Sequence, residues 1–126
     1  MSLVERILSL IYVLEQLENE STPSRSLDTE IAIVLGYEKV QDLQNETWFD
    51  PTGRKIARLP LFTSDCQSIW DLAQTLAPDA EIGLSWEREL ASASIGGSVV
   101  TGVRTPAIAL CIALIRFRLG RLTCPE

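Results

Sequence analysis

The side chains able to do chemistry in this 126-residue chain are carboxylates and arginines: it holds seventeen Asp and Glu, eleven Lys and Arg, three cysteines and no histidine. Without histidine there is no Ser-His-Asp or Cys-His nucleophile system and no histidine-bearing zinc site. Cys66, Cys111 and Cys124 form no CxxC pair. Cys66 and Cys111 fall where apolar helix faces need a small buried residue, Cys124 is a loose thiol near the end, and the odd count fits a reducing compartment. Among the acids, Glu87 and Glu89 can share a strand face and Asp65 and Asp71 bracket a helix, yet neither pair has the spacing of a metal site. Gly96-Gly97-Ser98 lacks the lysine and glycine spacing of a phosphate cradle and suits a hairpin turn better. The sequence therefore assigns no catalytic residue, no metal ligand and no cofactor.

Two stretches remain as candidate contact surfaces. Trp48, beside Phe49 and close to Arg54, Lys55 and Arg58, mixes aromatic and basic side chains that could grip a partner or a single nucleic-acid strand; the alternative is a lid over the core. The second is a surplus of apolar residues in the first helix. Residues 3–18 place Leu3, Val4, Ile7, Leu8, Ile11 and Leu14 on one stripe, which is expected to face the core. Leu10, Val13 and Leu17 widen it, and this flank either wraps deeper into the fold or meets another copy of the chain. It is the candidate self-association surface.

These residues must be positioned by a fold centred on residues 105–120. Thr105 suits an N-cap, Pro106 the first helical position and Gly120 the residue that ends a helix, with every residue from Ala107 to Ile115 apolar between them. Such a helix has no wet face and must be covered from several sides. Before it, Ser24 or Ser26 can cap a short helix ending at Gly36, and Tyr37–Glu46 reads as loop. Asp50-Pro51-Thr52-Gly53 suits a tight turn. Ser64 and Gln67 fit a capping box for a third helix carrying Cys66, Ile69, Trp70, Ala73 and Leu76 on one face. The period then changes to two: Ile82, Leu84 and Trp86, then Ala91, Ala93 and Ile95, then residues 98–103 describe a three-stranded meander, with Trp70 and Trp86 inward. The expected class is α+β, a layered α/β/α sandwich with a small antiparallel three- to four-stranded sheet and a long buried C-terminal helix.

Charge and length narrow the function further. The net charge is −6, with ten acids against three bases in residues 1–50 and one acid against four bases in residues 101–126. An acidic chain with no basic stripe is poorly matched to phosphate backbones, so direct nucleic-acid binding is not expected. Glu5 and Arg6 break the N-terminal apolar run and no run reaches the ~18–20 residues of a membrane span, so a cytoplasmic protein is expected. The length suits a single domain, residues 1–126, with 1–20 an N-terminal helix that could be an added element.

The order of Ile31-Ala32-Ile33-Val34-Leu35-Gly36-Tyr37, Leu59-Pro60-Leu61-Phe62-Thr63-Ser64-Asp65, Trp86 in a meander and Thr105-Pro106-Ala107-Ile108-Ala109-Leu110-Cys111 resembles the phage ABA sandwich domain family over residues 27–119. The resemblance implies a sandwich fold, a phage or prophage origin and a bacterial cytoplasm. It carries no established activity and no site residues to transfer. The expected function is a small accessory protein, non-enzymatic, acting through a protein partner or as a homo-oligomer. The alternative is a small enzyme or nucleic-acid-processing factor whose site gathers scattered acids with Arg54, Arg58 and Arg104.

Overall fold

The computed structural model describes residues 2–20 and 22–123, so Cys124 lies outside the described residues. The chain runs α1 (Leu3–Glu20), α2 (Arg25–Val34), β1 (Glu38–Gln41), β2 (Glu46–Phe49), β3 (Lys55–Ile56), α3 (Cys66–Leu76), β4 (Ile82–Glu87), β5 (Leu90–Ile95), β6 (Ser98–Val103) and α4 (Pro106–Thr123). The strands form two antiparallel three-stranded sheets, β1-β2-β3 and β4-β5-β6.

Helix α4 begins as its sequence dictates, with the Ile108 N–H donating to Thr105 Oγ1 at 3.2 Å. Every residue from Ala107 to Ile115 is buried. β5 and β6 lie against one side of it, α1 and α3 against others. The α+β class, the antiparallel meander and the buried C-terminal helix are as expected. The layer in the middle, however, is α4 rather than the sheet, whose outer face leaves Ser85 and Val99 exposed. Gly120 does not end the helix: α4 continues to Thr123, whose hydroxyl donates to the Leu119 carbonyl at 2.8 Å. Glycine permits a left-handed stop without imposing one.

The meander shows why small residues were needed. Ala91 and Ala93, both buried on the inner face of β5, let α4 approach closely. Gly96 and Gly97 close the β5–β6 hairpin at φ +53° and +97°, and a Cβ on Gly96 would stand 2.7 Å from the Phe117 ring. The β4–β5 hairpin makes a similar turn without glycine, placing Arg88 and Glu89 at φ 51° and 66°. Trp86 departs from expectation. It pairs with Ala91 and shares the inner face, yet is 65% exposed because α4 covers β5 and β6 and barely reaches β4.

Three further elements differ. Tyr37–Glu46, expected as loop, contains β1 and the start of β2, paired from Glu38 with Phe49 to Gln41 with Glu46. All four β1 residues are exposed, so no apolar alternation announces this strand; backbone pairing and the Lys39–Glu46 ion pair at 2.8 Å hold it. Asp65, not Ser64, caps α3, accepting from the Gln67 N–H at 3.2 Å, while the Gln67 side chain turns forward to donate to Asp71.

The third difference is the orientation of α1. Leu10, Val13 and Leu17 are 2%, 2% and 0% exposed and pack in the core with α4. They are not a self-association surface. Most of the stripe expected to face inward lies outward: Leu3, Val4, Leu8 and Ile11 are exposed and Ile7 is half-buried, while Leu14 packs against the core as expected. Both stripes satisfy helical spacing, and the one packed on α4 is accompanied by polar contacts at the helix's other end. There Glu18 accepts from Arg116 at 2.9 Å, and the same guanidinium donates to the Val99 carbonyl at 3.3 Å, tying α1, α4 and β6 together.

Leu17→Ala should cost about 2–5 kcal/mol in urea denaturation, as buried leucines do, whereas Leu43→Ala, at a fully exposed position, should stay within about 0.5 kcal/mol. Replacing Arg88-Glu89 by Asn-Gly should raise stability by about 1–2 kcal/mol in the same assay, because it relieves two left-handed non-glycine residues.

Candidate functional site

The uncovered face of α1 does not stand alone. Leu8 and Tyr12 border a groove of about 330 Å³ whose far wall is Glu30 and Ile33 of α2. Val4 is 65% exposed, Leu8 59%, Tyr12 52% and Ile33 48%. Four large apolar side chains from two helices thus share one surface. Val4, Leu8 and Ile11 follow the i, i+4, i+7 spacing of one helix face, and Ile33 is brought beside them by the α1–α2 packing.

Across Ser9, Ile33 and Val34, which line both depressions, lies a second cleft of about 320 Å³. It is basic where the first is apolar. Arg6 of α1 and Arg118 of α4 enter it, with Tyr37 and Glu38 on the opposite side. The Arg118 Nε is covered from solvent and has no hydrogen-bond partner among the described residues. The ion pairs among those residues use Arg25, Lys39 and Arg116, so neither Arg6 nor Arg118 has a carboxylate partner there. Burial first, and then the like charge of Arg6, draws the Arg118 guanidinium below its usual pKa.

A second polar cluster is buried and fully satisfied. Asp28, 2% exposed, accepts from the Thr63 N–H at 2.7 Å and lies 2.8 Å from the Thr63 hydroxyl. That hydroxyl accepts from the Ser24 N–H at 2.9 Å, and Arg25 donates to the Leu59 and Pro60 carbonyls. The cluster pins the segment before α3 to the first turn of α2. Cys111 lies close enough to feel it: burial, then the Asp28 charge, pushes its thiol well above the usual value, as a structural cysteine's should be.

The sequence-derived contact patch is dispersed. Trp48 is 8% exposed and belongs to the core, with the Lys39 ammonium 6.0 Å from its ring, so it acts as the lid. Arg54 faces a cleft with Asp50 and Asp71, Arg104 another with Trp86 and Arg88, and Arg58 is exposed apart from both. They are not gathered into one groove. Asp50 is a turn organiser: its carboxylate accepts from the Thr52 hydroxyl at 2.6 Å and the Arg54 N–H at 2.9 Å, which lowers its pKa. Among the described residues there is no cluster of three or more His, Cys, Asp and Glu able to hold a metal, and no helix long and apolar enough to cross a membrane.

Sequence reasoning passed over Arg6, Arg118 and Asp28. Arg6 looked like an interruption of an apolar run and Arg118 like a partner for the helix dipole. Only the packing of α1 on α4 joins residues so far apart in the chain. Asp28 in the first turn of α2 carried the signal of a surface acid. Its burial depends on Thr63. No family model, curated protein or solved structure matches the chain.

Tyr37 supplies a test of the site's packing. Burial first, then the Asp50 charge, raises its phenol to about 12. An unfolded tyrosine ionises near pH 10. The folded state therefore holds this proton more tightly, and the associated stability is intact below about pH 10 and is lost as the pH rises toward 12. An ultraviolet titration should show one late phenolate. Tyr37→Phe should remove both that transition and its share of the alkaline loss of stability.

Proposed function

We propose that this chain is a small phage- or prophage-encoded accessory protein of the bacterial cytoplasm, non-enzymatic, that works by association through the outward face of α1. The observation that carries this reading is the group Val4, Leu8, Tyr12 and Ile33, each about half exposed or more on one surface. Single exposed apolar residues need no explanation, but a contiguous group of large ones marks a contact surface. The origin rests on the family resemblance of residues 27–119.

The occupant is a second copy of the chain. α1 is 18 residues long, about 27 Å at 1.5 Å per residue, enough for two copies to lie antiparallel along the same stripe. A two-fold pairing of that kind is isologous, with one patch covering its own copy. Charge supports the antiparallel sense. Glu15 continues the Val4, Leu8, Ile11 stripe at i+11, and in an antiparallel pair it stands near the positive N-terminal end of the partner helix.

Size-exclusion chromatography with light scattering over a concentration series should give a dimer. The double variant Val4→Glu, Leu8→Glu should shift it to monomer with an unchanged circular dichroism spectrum. A monomer at every concentration would overturn the self-association reading.

A further inference from the structure

The basic cleft is not explained by association through α1. An arginine N–H covered from water and left unpaired is unusual, since nearly all buried polar groups have partners and an unmade bond leaves the loss of hydration uncompensated. Here the unpaired group is the Nε of Arg118. Arg6 lines the same cleft from α1, and no carboxylate among the described residues forms an ion pair with either guanidinium. In a chain of net charge −6, two arginines sharing a cleft with only Glu38 among its lining residues to oppose them are out of place as mere surface charge.

We infer that the cleft between α1, α2 and α4 binds a small monocarboxylate, its charge held by Arg118 and Arg6 and its short apolar tail against Ile33 and Val34. The guanidinium fork suits the class, because Arg pairs with planar two-oxygen anions through parallel N–H donors. The local charge sets the valence. Glu38 lines the same cleft, so the two arginines and one acid leave a single net positive charge, which one carboxylate neutralises and a phosphate dianion overshoots. Size agrees as well: about 320 Å³ lies at the lower end of the range for small-molecule sites. The tail wall is continuous with the apolar groove through Ile33 and Val34, while the charged end lies on the far side of Ser9 from the α1 stripe.

The test follows the arginine Nε–H signals of the full chain by NMR during separate titrations with sodium butyrate, inorganic phosphate and sodium chloride at matched ionic strength. Butyrate should shift the Arg118 signal saturably, and chloride should not. Arg118→Met, which keeps the stem that packs against the core, should weaken butyrate binding at least about tenfold, as followed by backbone amide shifts of Ser9 and Val34. Arg6→Met, at an exposed position, should weaken it in the same direction without affecting the fold. A non-saturating butyrate response, or undiminished binding in both variants, would overturn the site. Phosphate binding as tight as butyrate would overturn the carboxylate assignment. Because Arg6→Met and Arg118→Met leave Val4 and Leu8 intact, the dimer reading and this one fail separately.

Discussion

Nine consecutive buried residues in α4, Ala107 to Ile115, constrain everything around them. A helix with one apolar stripe needs one neighbour; a helix apolar on every side needs neighbours all round, since each large aliphatic side chain left in water forgoes about 1.5–3 kcal/mol. The chain meets this with unlike elements. β5 presents alanines, so the sheet can come close, and β6 adds Val100 and Val103, while α1 and α3 present a leucine-rich seam and the Ile69 and Ala73 face. The order of layers follows: the most apolar element lies in the middle, and the sheet, having only one face to bury, lies outside. An outer face of serines is then a consequence of topology.

Against this apolar centre the polar exceptions separate into two kinds. Asp28 and Thr63 are buried together with their partners in place, so their burial costs little and their geometry fixes how the segment before α3 joins α2. Arg118 is different. It is half-buried, its Nε has no partner among the described residues, and the charge of Arg6 that acts on it has the same sign. The first arrangement accounts for itself structurally. The second leaves a cost that the surrounding packing does not offset, and the proposed carboxylate site rests on that difference.

The sequence made legible whatever rested on strict local chemistry. Thr105-Pro106 marks the start of α4, the change from a helical period to a period of two marks β4, and Gly96-Gly97 marks the hairpin turn; all three lie at those positions in the fold. What it hid was decided by tertiary contact. β1 is too polar to be seen as a strand until Glu46–Phe49 pairs with it. Trp86 alternates correctly and still lies in the open, because periodicity specifies a face and not how far a covering helix reaches. Of the candidate surfaces, the Trp48 patch dissolved because Trp48 turned into the core, Arg54 toward a cleft and Arg58 toward open solvent. The arginine pair formed from residues at opposite ends of the chain, where no local pattern points.

α1 shows the same limit most directly. Its two apolar stripes are each good enough to be a core face, and a hydrophobicity count favours the wrong one, because Leu3, Val4, Leu8 and Ile11 cluster toward the N-terminus. Burial instead follows the end of the helix that is held. Leu17, Val13 and Leu10 meet α4 at intervals of four and three residues, and the half-exposed Glu18–Arg116 ion pair beside them adds little to that burial. A helix that only had to fill this core would need no second stripe, and polar residues there would be neutral for folding and better for solubility. That leucines and a tyrosine stand there instead, level with Ile33 of α2, is a cost to the isolated chain. It is on this surplus hydrophobicity that the proposed interface rests, on the opposite side of α1 from the flank expected from the sequence.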